Sequence, residues 1–427
     1  MARIAFFCPP FWGHLNPMSA LASALAARGH VVTVIAQPDA GARLSAPEIA
    51  FRAVGHNTHP LGSLIETERR MGRPGGPIGM RRIIDRVART TDMLAGEGAE
   101  AARDLRIEAI VTDQLEPAGA LVAEHLRLPY VSVANALLLN REPDVPPAYT
   151  GWQYDPSDWG RRRNRGGYHV IDLLMRPVGS VIASWCRRWG LPHKQRIEDC
   201  LSPYAQITQT IPGLDFPRRE LPDIVHSCGP LRRDGWDGDF VLPDSGDRPL
   251  VYATLGTLQG GWVLLFRKIA EACRRLDLAL LVAHGGRMTE AEAAALPGNP
   301  IVHAFVPQPI VLRHTALAIS NGGLNTVLDA LTCAVPVVAI PIAFEQRAIA
   351  ARLVHAGAGV SARGVGLRPA RLARTIDTVM REDGFRRQAA VLADEIERAG
   401  GVKRAADIVE RVIATDRLVT PRELAIR

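Results

Sequence analysis

A histidine and an aspartate each follow a short apolar run, where a twisted sheet would present side chains able to move a proton. His14 lies in Pro9-Pro-Phe-Trp-Gly-His-Leu-Asn-Pro17, after the strand-like Arg3–Cys8 and before a helix predicted over Pro17–Arg28, with Pro17 in its first turn. Asp113 ends the run Ile107–Thr112. A hydroxyl becomes a nucleophile only as it loses its proton, so a base is needed; a carboxylate behind a histidine orients the ring and stabilises its charged form. The plainer role for Asp113 is a cap on the helix after Glu116-Pro117. A third group suits anions. The strand Ala316–Ser320 runs into Asn321-Gly-Gly-Leu-Asn-Thr326 and a helix over Asn325–Leu331. Gly322 and Gly323 permit close backbone approach, and the N–H groups and dipole of the helix start attract negative charge. Asn325 and Thr326 add donors for phosphate oxygens, and the carboxylate of Asp329, one turn on, suits ribose hydroxyls. A tight, capped turn would show the same residues without binding anything.

Positioning these groups requires sheets. Strands near Arg3–Cys8, Val31–Ala36, Ile107–Thr112 and Tyr130–Ala134 alternate with helices over Pro17–Arg28 and Ala118–Leu126, which implies a parallel sheet covered on both faces. A Pro- and Gly-rich stretch from Pro212 to Pro249 interrupts the rhythm and reads as a linker. Strands then recur near Leu250–Leu255, Leu278–His284, Ile301–Phe305, Ala316–Ser320 and Pro336–Ile340. Helices fall near Val263–Leu276 and from Gln346. The expected fold class is α/β: two doubly wound, Rossmann-like domains facing each other across a cleft, with ligands at the carboxyl ends of the strands. The expected divisions are 1–230, a linker 231–248, 249–405, and a helix and tail over 406–427 that packs back on the first domain.

The chain has 427 residues, enough for two cores, and its 47% hydrophobic and 22% charged content is that of a globular protein. No apolar run reaches the roughly 20 residues that span a bilayer. The start does not read as a signal peptide, since its apolar stretch meets Pro9-Pro10 at once. Six scattered cysteines without a C-x-x-C pair argue against a disulfide framework or zinc site and for a reducing cytoplasm. A net charge of +7 points to an anionic substrate or membrane surface. Nucleic acid is excluded as a partner because no basic motif with interleaved aromatics is present.

Phe305-Val-Pro-Gln308 lies before the glycine turn and Pro341-Ile-Ala-Phe-Glu-Gln346 after it. The whole run resembles the donor signature of the UDP-glycosyltransferase superfamily, whose fold is GT-B. The resemblance implies that Phe305 stacks near the base, Gln308 and Asp329 lie at the ribose, and Gly322 to Thr326 surround the diphosphate. It places Glu345 and Gln346 on sugar hydroxyls and Gly256-Thr257 in a loop closing on the phosphates. It also gives His14 the role of base and Asp113 that of its partner, in an inverting displacement without a covalent intermediate. One residue departs from the pattern: Asn321 stands where the family has a diphosphate-binding histidine. An amide donates only a neutral bond, with an expected loss of about 1–2 kcal/mol in donor binding, which leaves room for a slow or silent member. Asp237-Gly-Asp239 spells a metal-binding triplet but sits in the linker without a preceding strand, and reads as a turn. No metal or cofactor is therefore expected, the nucleotide sugar being a substrate.

Longer stretches, including Asp113–Glu124, Leu139–Asp144 and Ala253–Gly260, are similar to the bacterial carotenoid-glucosylating branch of that superfamily. That similarity implies UDP-glucose as donor and the terminal hydroxyl of zeaxanthin or a related xanthophyll as acceptor. A bilayer-dissolved acceptor must be met at the membrane, at its inner face for a cytoplasmic enzyme. Arg161-Arg-Arg-Asn-Arg165 precedes a stripe of Ile171, Leu174, Val178, Ile182, Trp185 and Trp189 with Arg187 and Arg188 beside it. That is either an interfacial face or a core face with solvated arginines. Pro177 breaks the helix in both cases. Other readings are a macrolide or polyketide-alcohol acceptor, a non-catalytic sugar-nucleotide or carotenoid binder, and a nucleotide-sugar epimerase.

Overall fold

The computed structural model describes residues 1–421 apart from 45, 74, 75, 234–239, 243, 363–365 and 416. Asp237-Gly-Asp239 lies outside the described residues. The first half carries β1 (Arg3–Phe7), α1 (Trp12–Ala27), β2 (Val31–Ala36), β3 (Ala50–Ala53), α2 (Ser63–Gly72) and α3 (Gly76–Asp104). It continues with β4 (Ala109–Asp113), α4 (Pro117–Leu126), β5 (Tyr130–Ala134), α5 (Asp158–Leu174), α6 (Arg176–Trp189), β6 (Ala205–Thr208) and β7 (Val225–Ser227). Their strands form one parallel sheet in the order β3-β2-β1-β4-β5-β6-β7. Strands β4 and β5 are buried along their full length, as their apolar runs require in a sheet covered on both faces.

The second half begins with β8 (Leu250–Thr254), the one-turn α7 (Gly256–Gln259), α8 (Val263–Arg275), β9 (Ala279–Ala283) and α9 (Glu290–Ala294). Then follow β10 (Ile301–His303), α10 (Gln308–Leu312), β11 (Leu317–Ser320), α11 (Leu324–Thr332), β12 (Val337–Ala339), α12 (Gln346–His355) and β13 (Gly359–Ser361). Helices α13 (Pro369–Arg381), α14 (Asp383–Ala399) and α15 (Gly401–Thr415) complete the described chain. A second parallel sheet runs β10-β9-β8-β11-β12-β13. Helix α15 leaves this half and packs on the first: Ala405, Ile408, Val409 and Val412 share a core with Leu15, Leu21 and Leu25 of α1. Arg28 seals the contact on Asp407 and Glu410 at 2.7 and 2.6 Å.

Two expectations change. Helix α1 opens at Trp12, not Pro17, so His14 stands in its first turn and Pro17 sits inside the helix. Proline has no N–H to give the carbonyl four residues back, so the Gly13 oxygen is left for another donor. The aromatic stripe divides at Met175, where α5 ends and α6 begins. Val178, Ile182 and Trp185 are buried in a core shared with α3 and α4; Trp185 Nε1 donates to Asp92 at 2.7 Å, and Trp189 stacks on His125 at 4.2 Å. The stripe on α6 is thus a core face. Its neighbour α3 was not expected because its glycines, arginines and alanines give a diluted apolar period.

Side chains tie the halves together across the cleft. Buried Glu68 of α2 accepts from Arg43 of its own half and from Arg287 of the other, both at 2.7 Å. Arg352 of α12, 1% exposed, bonds Asp215 at 2.6 Å and lies over the Phe216 ring.

Candidate active site

Four neighbouring strands of the first sheet, β1, β4, β5 and β6, end on the same edge and supply one wall of the cleft. His14 follows β1, Asp113 ends β4, Asn135 follows β5 and Gln209 follows β6. His14 Nδ1 lies 2.7 Å from Asp113 Oδ2, and the Asp113 side chain is inaccessible while a fifth of the His14 side chain remains exposed. With Nδ1–H given to Asp113, the lone pair is on Nε2, away from the carboxylate. Asp113 accepts two further bonds, from Asn135 Nδ2 at 2.7 Å and Leu115 N at 2.8 Å. Helix α4 is capped instead by Glu116, whose Oε1 accepts from Ala118 N, so the capping role falls away from Asp113.

Burial works against a charged His14, but the charge and hydrogen bond of Asp113, with the nearby Glu345 carboxylate, outweigh it and raise its pKa. Burial likewise raises Glu345, which His14 partly offsets. Glu345 immediately precedes α12, in the other half of the chain.

Glu116, inaccessible behind Asp113, is pushed up to about 8, chiefly by burial and further by Asp113, against the bonds from Ala118 N and Thr91. Its ordinary value is 4.5. A carboxyl whose pKa rises on folding favours the folded state fully at low pH; that advantage fades as pH climbs from about 4.5 to about 8. Stability should fall over this window, by on the order of a few kcal/mol. Glu116→Gln keeps an acceptor for Thr91 and Ala118 and should flatten the decline. Melting curves at pH 5.5 and 8.5 check this; equal slopes for both proteins would refute it.

The opposite wall is built from the carboxyl ends of β8, β10, β11 and β12. Gly322 has φ +81°, and a Cβ there would stand 3.1 Å from the Gln346 carbonyl, so the turn into α11 requires glycine. The amides of Leu324, Asn325 and Thr326 open α11, a helix start suited to an anion. Phe305 is 57% exposed, a free face for a base. Gln308 and Asp329 meet, Nε2 to Oδ2 at 2.6 Å, and Gln308 Oε1 accepts from Thr326 Oγ1 at 3.3 Å and Tyr252 at 3.1 Å. Gly256 opens α7 with φ +71°, next to the Asn321 amide; Thr257 gives its carbonyl to Arg287 Nε at 3.2 Å.

Three residues behave differently from expectation. Asn321 is 4% exposed, and its Nδ2 donates to the Leu255 carbonyl at 2.7 Å and Gln259 Oε1 at 3.0 Å. Its Oδ1 accepts from Gly323 N. Both amide hydrogens are used inside the protein, so Asn321 ties β8 to β11 rather than presenting a donor to phosphate. Gln346 is equally enclosed: Oε1 accepts from Ile342 N and Ala343 N, and Nε2 donates to Gln259 Oε1. Asn325 spans the cleft, its Nδ2 donating to the Gly13 carbonyl at 2.8 Å. The sequence reading missed Asn135, Gln209, Gln259 and Arg232. A position directly after a strand was the available signal for the first two.

Two parallel Rossmann-type sheets with a histidine on one wall and a glycine-turned helix start on the other make a GT-B glycosyltransferase architecture. The crystal structure of a kitacinnamycin glycotransferase matches it with a TM-score of 0.78 at 21% identity, covering 96% of this chain and 99% of that one. CalG4, the calicheamicin glycosyltransferase, matches at 0.74 and 22%, covering 97% and 98%. Residues 197–398 fit the family model described as UDP-glucoronosyl and UDP-glucosyl transferase. Zeaxanthin glucosyltransferase of Pantoea ananas is 41% identical over 97% of both chains. That of Pseudescherichia vulneris is 36% identical over 97% of this chain and 98% of its own. The chain belongs to the UDP-glycosyltransferase family, enzymes that transfer the sugar of a nucleotide-sugar donor to an acceptor.

Proposed function

We propose that this enzyme transfers glucose from UDP-glucose to the hydroxyl of a carotenoid of the zeaxanthin type, with inversion. His14 Nε2 takes the acceptor proton as its oxygen attacks the anomeric carbon, and the start of α11 receives the departing diphosphate. The His14–Asp113 contact at 2.7 Å, facing that helix start, carries the proposal. The choice of sugar and acceptor rests on the two glucosyltransferase relatives. A cleft lined by Leu138, Val145, Tyr149, Ile171 and Met175, with Arg141, Asp172, Glu198 and Arg218 also on its walls, offers a lipophilic alcohol its place.

The carotenoid would be met at the inner face of the cytoplasmic membrane, and helix α5 is suited to that surface. Its inner face, with Tyr168 and Ile171, lines the cleft. Its outer face exposes Trp159, Val170, Leu173 and Leu174 at 65, 57, 60 and 51%, with exposed Arg162 and Arg165 on the same helix. Apolar anchors among arginines fit an anionic bilayer. No helix among the described residues is long and apolar enough to cross a membrane.

Purified enzyme should convert UDP-glucose and zeaxanthin to the mono- or diglucoside, read by mass spectrometry. Bound donor without product would favour a binding protein, and transfer to a macrolide alone would replace the acceptor. With zeaxanthin in phosphatidylglycerol vesicles, Leu173→Asp should lose about tenfold in rate, yet match wild type on detergent-dispersed acceptor. Equal rates in vesicles would remove the membrane face from the proposal.

A further inference from the structure

Among the described residues of the donor wall, Asn321 is neutral and internally bonded, and Arg287 is turned to Glu68 of the other half and to the Thr257 carbonyl. Arg232, in the linker after β7, comes to this place from the other half of the chain. Its Nε bonds Asp329 Oδ1 at 2.7 Å, and its Nη2 lies 3.3 Å from the Asn325 carbonyl and 3.2 Å from Asn325 Oδ1. Nη1 is held by Gln209 Oε1 at 2.8 Å and by the Leu231 carbonyl at 2.9 Å. The guanidinium therefore lies along the first turn of α11, fixed on one edge and 28% exposed as a side chain.

The fixed edge leads back to the base. Gln209 Nε2 donates to Asn135 Oδ1 at 3.0 Å, and Asn135 Nδ2 donates to Asp113 at 2.7 Å. A chain of bonded side chains thus runs His14–Asp113–Asn135–Gln209–Arg232–Asp329.

We propose that Arg232 is the diphosphate-binding cation of the donor pocket, held by Gln209 in line with the dyad. It rests on the reading of Gly322–Thr326 as the diphosphate seat. Ribose hydroxyls at Asp329 compete for the carboxylate oxygen that pairs with Arg232 Nε and free that N–H for a phosphate oxygen one turn away; Nη2 exchanges its longer contacts to Asn325, at 3.2 and 3.3 Å, for a second. Guanidinium offers paired, charged donors that an asparagine amide cannot.

The test compares UDP with uridine, which shares the base and ribose but has no phosphate, by calorimetry on the full chain. Arg232→Met should weaken UDP binding by at least tenfold and uridine binding by less than threefold. Arg232→Lys should recover part of the UDP affinity. Arg287→Met, which removes the partner of Glu68 across the cleft, should leave the UDP-to-uridine ratio near that of wild type. An equal fall for both ligands would mark Arg232 as structural only and overturn the proposal, as would an unchanged UDP affinity. Selective loss in the Arg287 variant would move the role there and overturn it equally. If wild type bound UDP no more tightly than uridine, the diphosphate seat itself would fall, and this inference with it.

Discussion

His14→Ala should lower the transfer rate by about 10²–10⁴ while leaving UDP affinity and melting temperature close to wild type. The expected size follows from the chemistry, since an unassisted alcohol attacks poorly at neutral pH and a positioned base lowers the barrier by about 3–5 kcal/mol. The fold should tolerate the change because the His14 side chain is partly exposed and, among the described residues, bonds to Asp113 alone. The pH profile gives a second reading. Asp113 and Glu345 help keep the His14 pKa above its ordinary value, so the neutral ring is lost, and the rate with it, as pH falls through that raised value. The alanine variant should lack this acid limb. Single-turnover rates between pH 5.5 and 9 decide the matter; a variant within threefold of wild type would exclude His14 as the base.

Asp113→Asn should have an effect of similar size by a different route. The carboxylate receives three donors: His14 Nδ1, Asn135 Nδ2 and Leu115 N. An amide in its place must present its NH₂ to at least one of them. If the oxygen stays with Leu115 N, the NH₂ meets the Asn135 amide and forces His14 to accept at Nδ1. The proton then sits on Nε2, the wrong tautomer for a base. A loss of about 10³–10⁴ in kcat is expected, as for the aspartate of a serine-protease triad. Loss of the negative charge also removes the main support of the raised His14 pKa, so any residual activity should keep its acid limb at lower pH. A kcat fall below tenfold, or an acid limb moved upward, would show that Asp113 neither orients nor charges the ring.

What the sequence disclosed and what it hid follow from distance along the chain. Two parallel sheets were legible because buried strands such as Ala109–Asp113 and Leu250–Thr254 are continuous apolar runs between helices. The order β1-β4-β5-β6 was not, since pairing is decided by how helices cover the sheet. His14 and Asp113 were legible because each follows a strand, although 99 residues separate them. Asn321 looked like a weakened phosphate ligand because its true partners, the Leu255 carbonyl and Gln259, are 66 and 62 residues away. Arg232 was hidden for the opposite reason: an arginine in a Pro- and Gly-rich linker resembles solvated surface until Asp329, 97 residues on, is brought to it. The stripe at Val178–Trp189 offered two meanings, and packing against α3 selected the core.

Pro17 has a consequence for how such enzymes recombine. By withholding an N–H it leaves the Gly13 carbonyl facing the other half, and Asn325 takes it at 2.8 Å. The residue beside His14 and a residue of the turn into α11 thus form a docking key, cut by a proline on one side and an asparagine on the other. Hybrids that graft a foreign donor half onto this acceptor half should align best when the graft brings an amide at position 325. Grafts without one must find another way to register a sugar's anomeric carbon against an acceptor's oxygen.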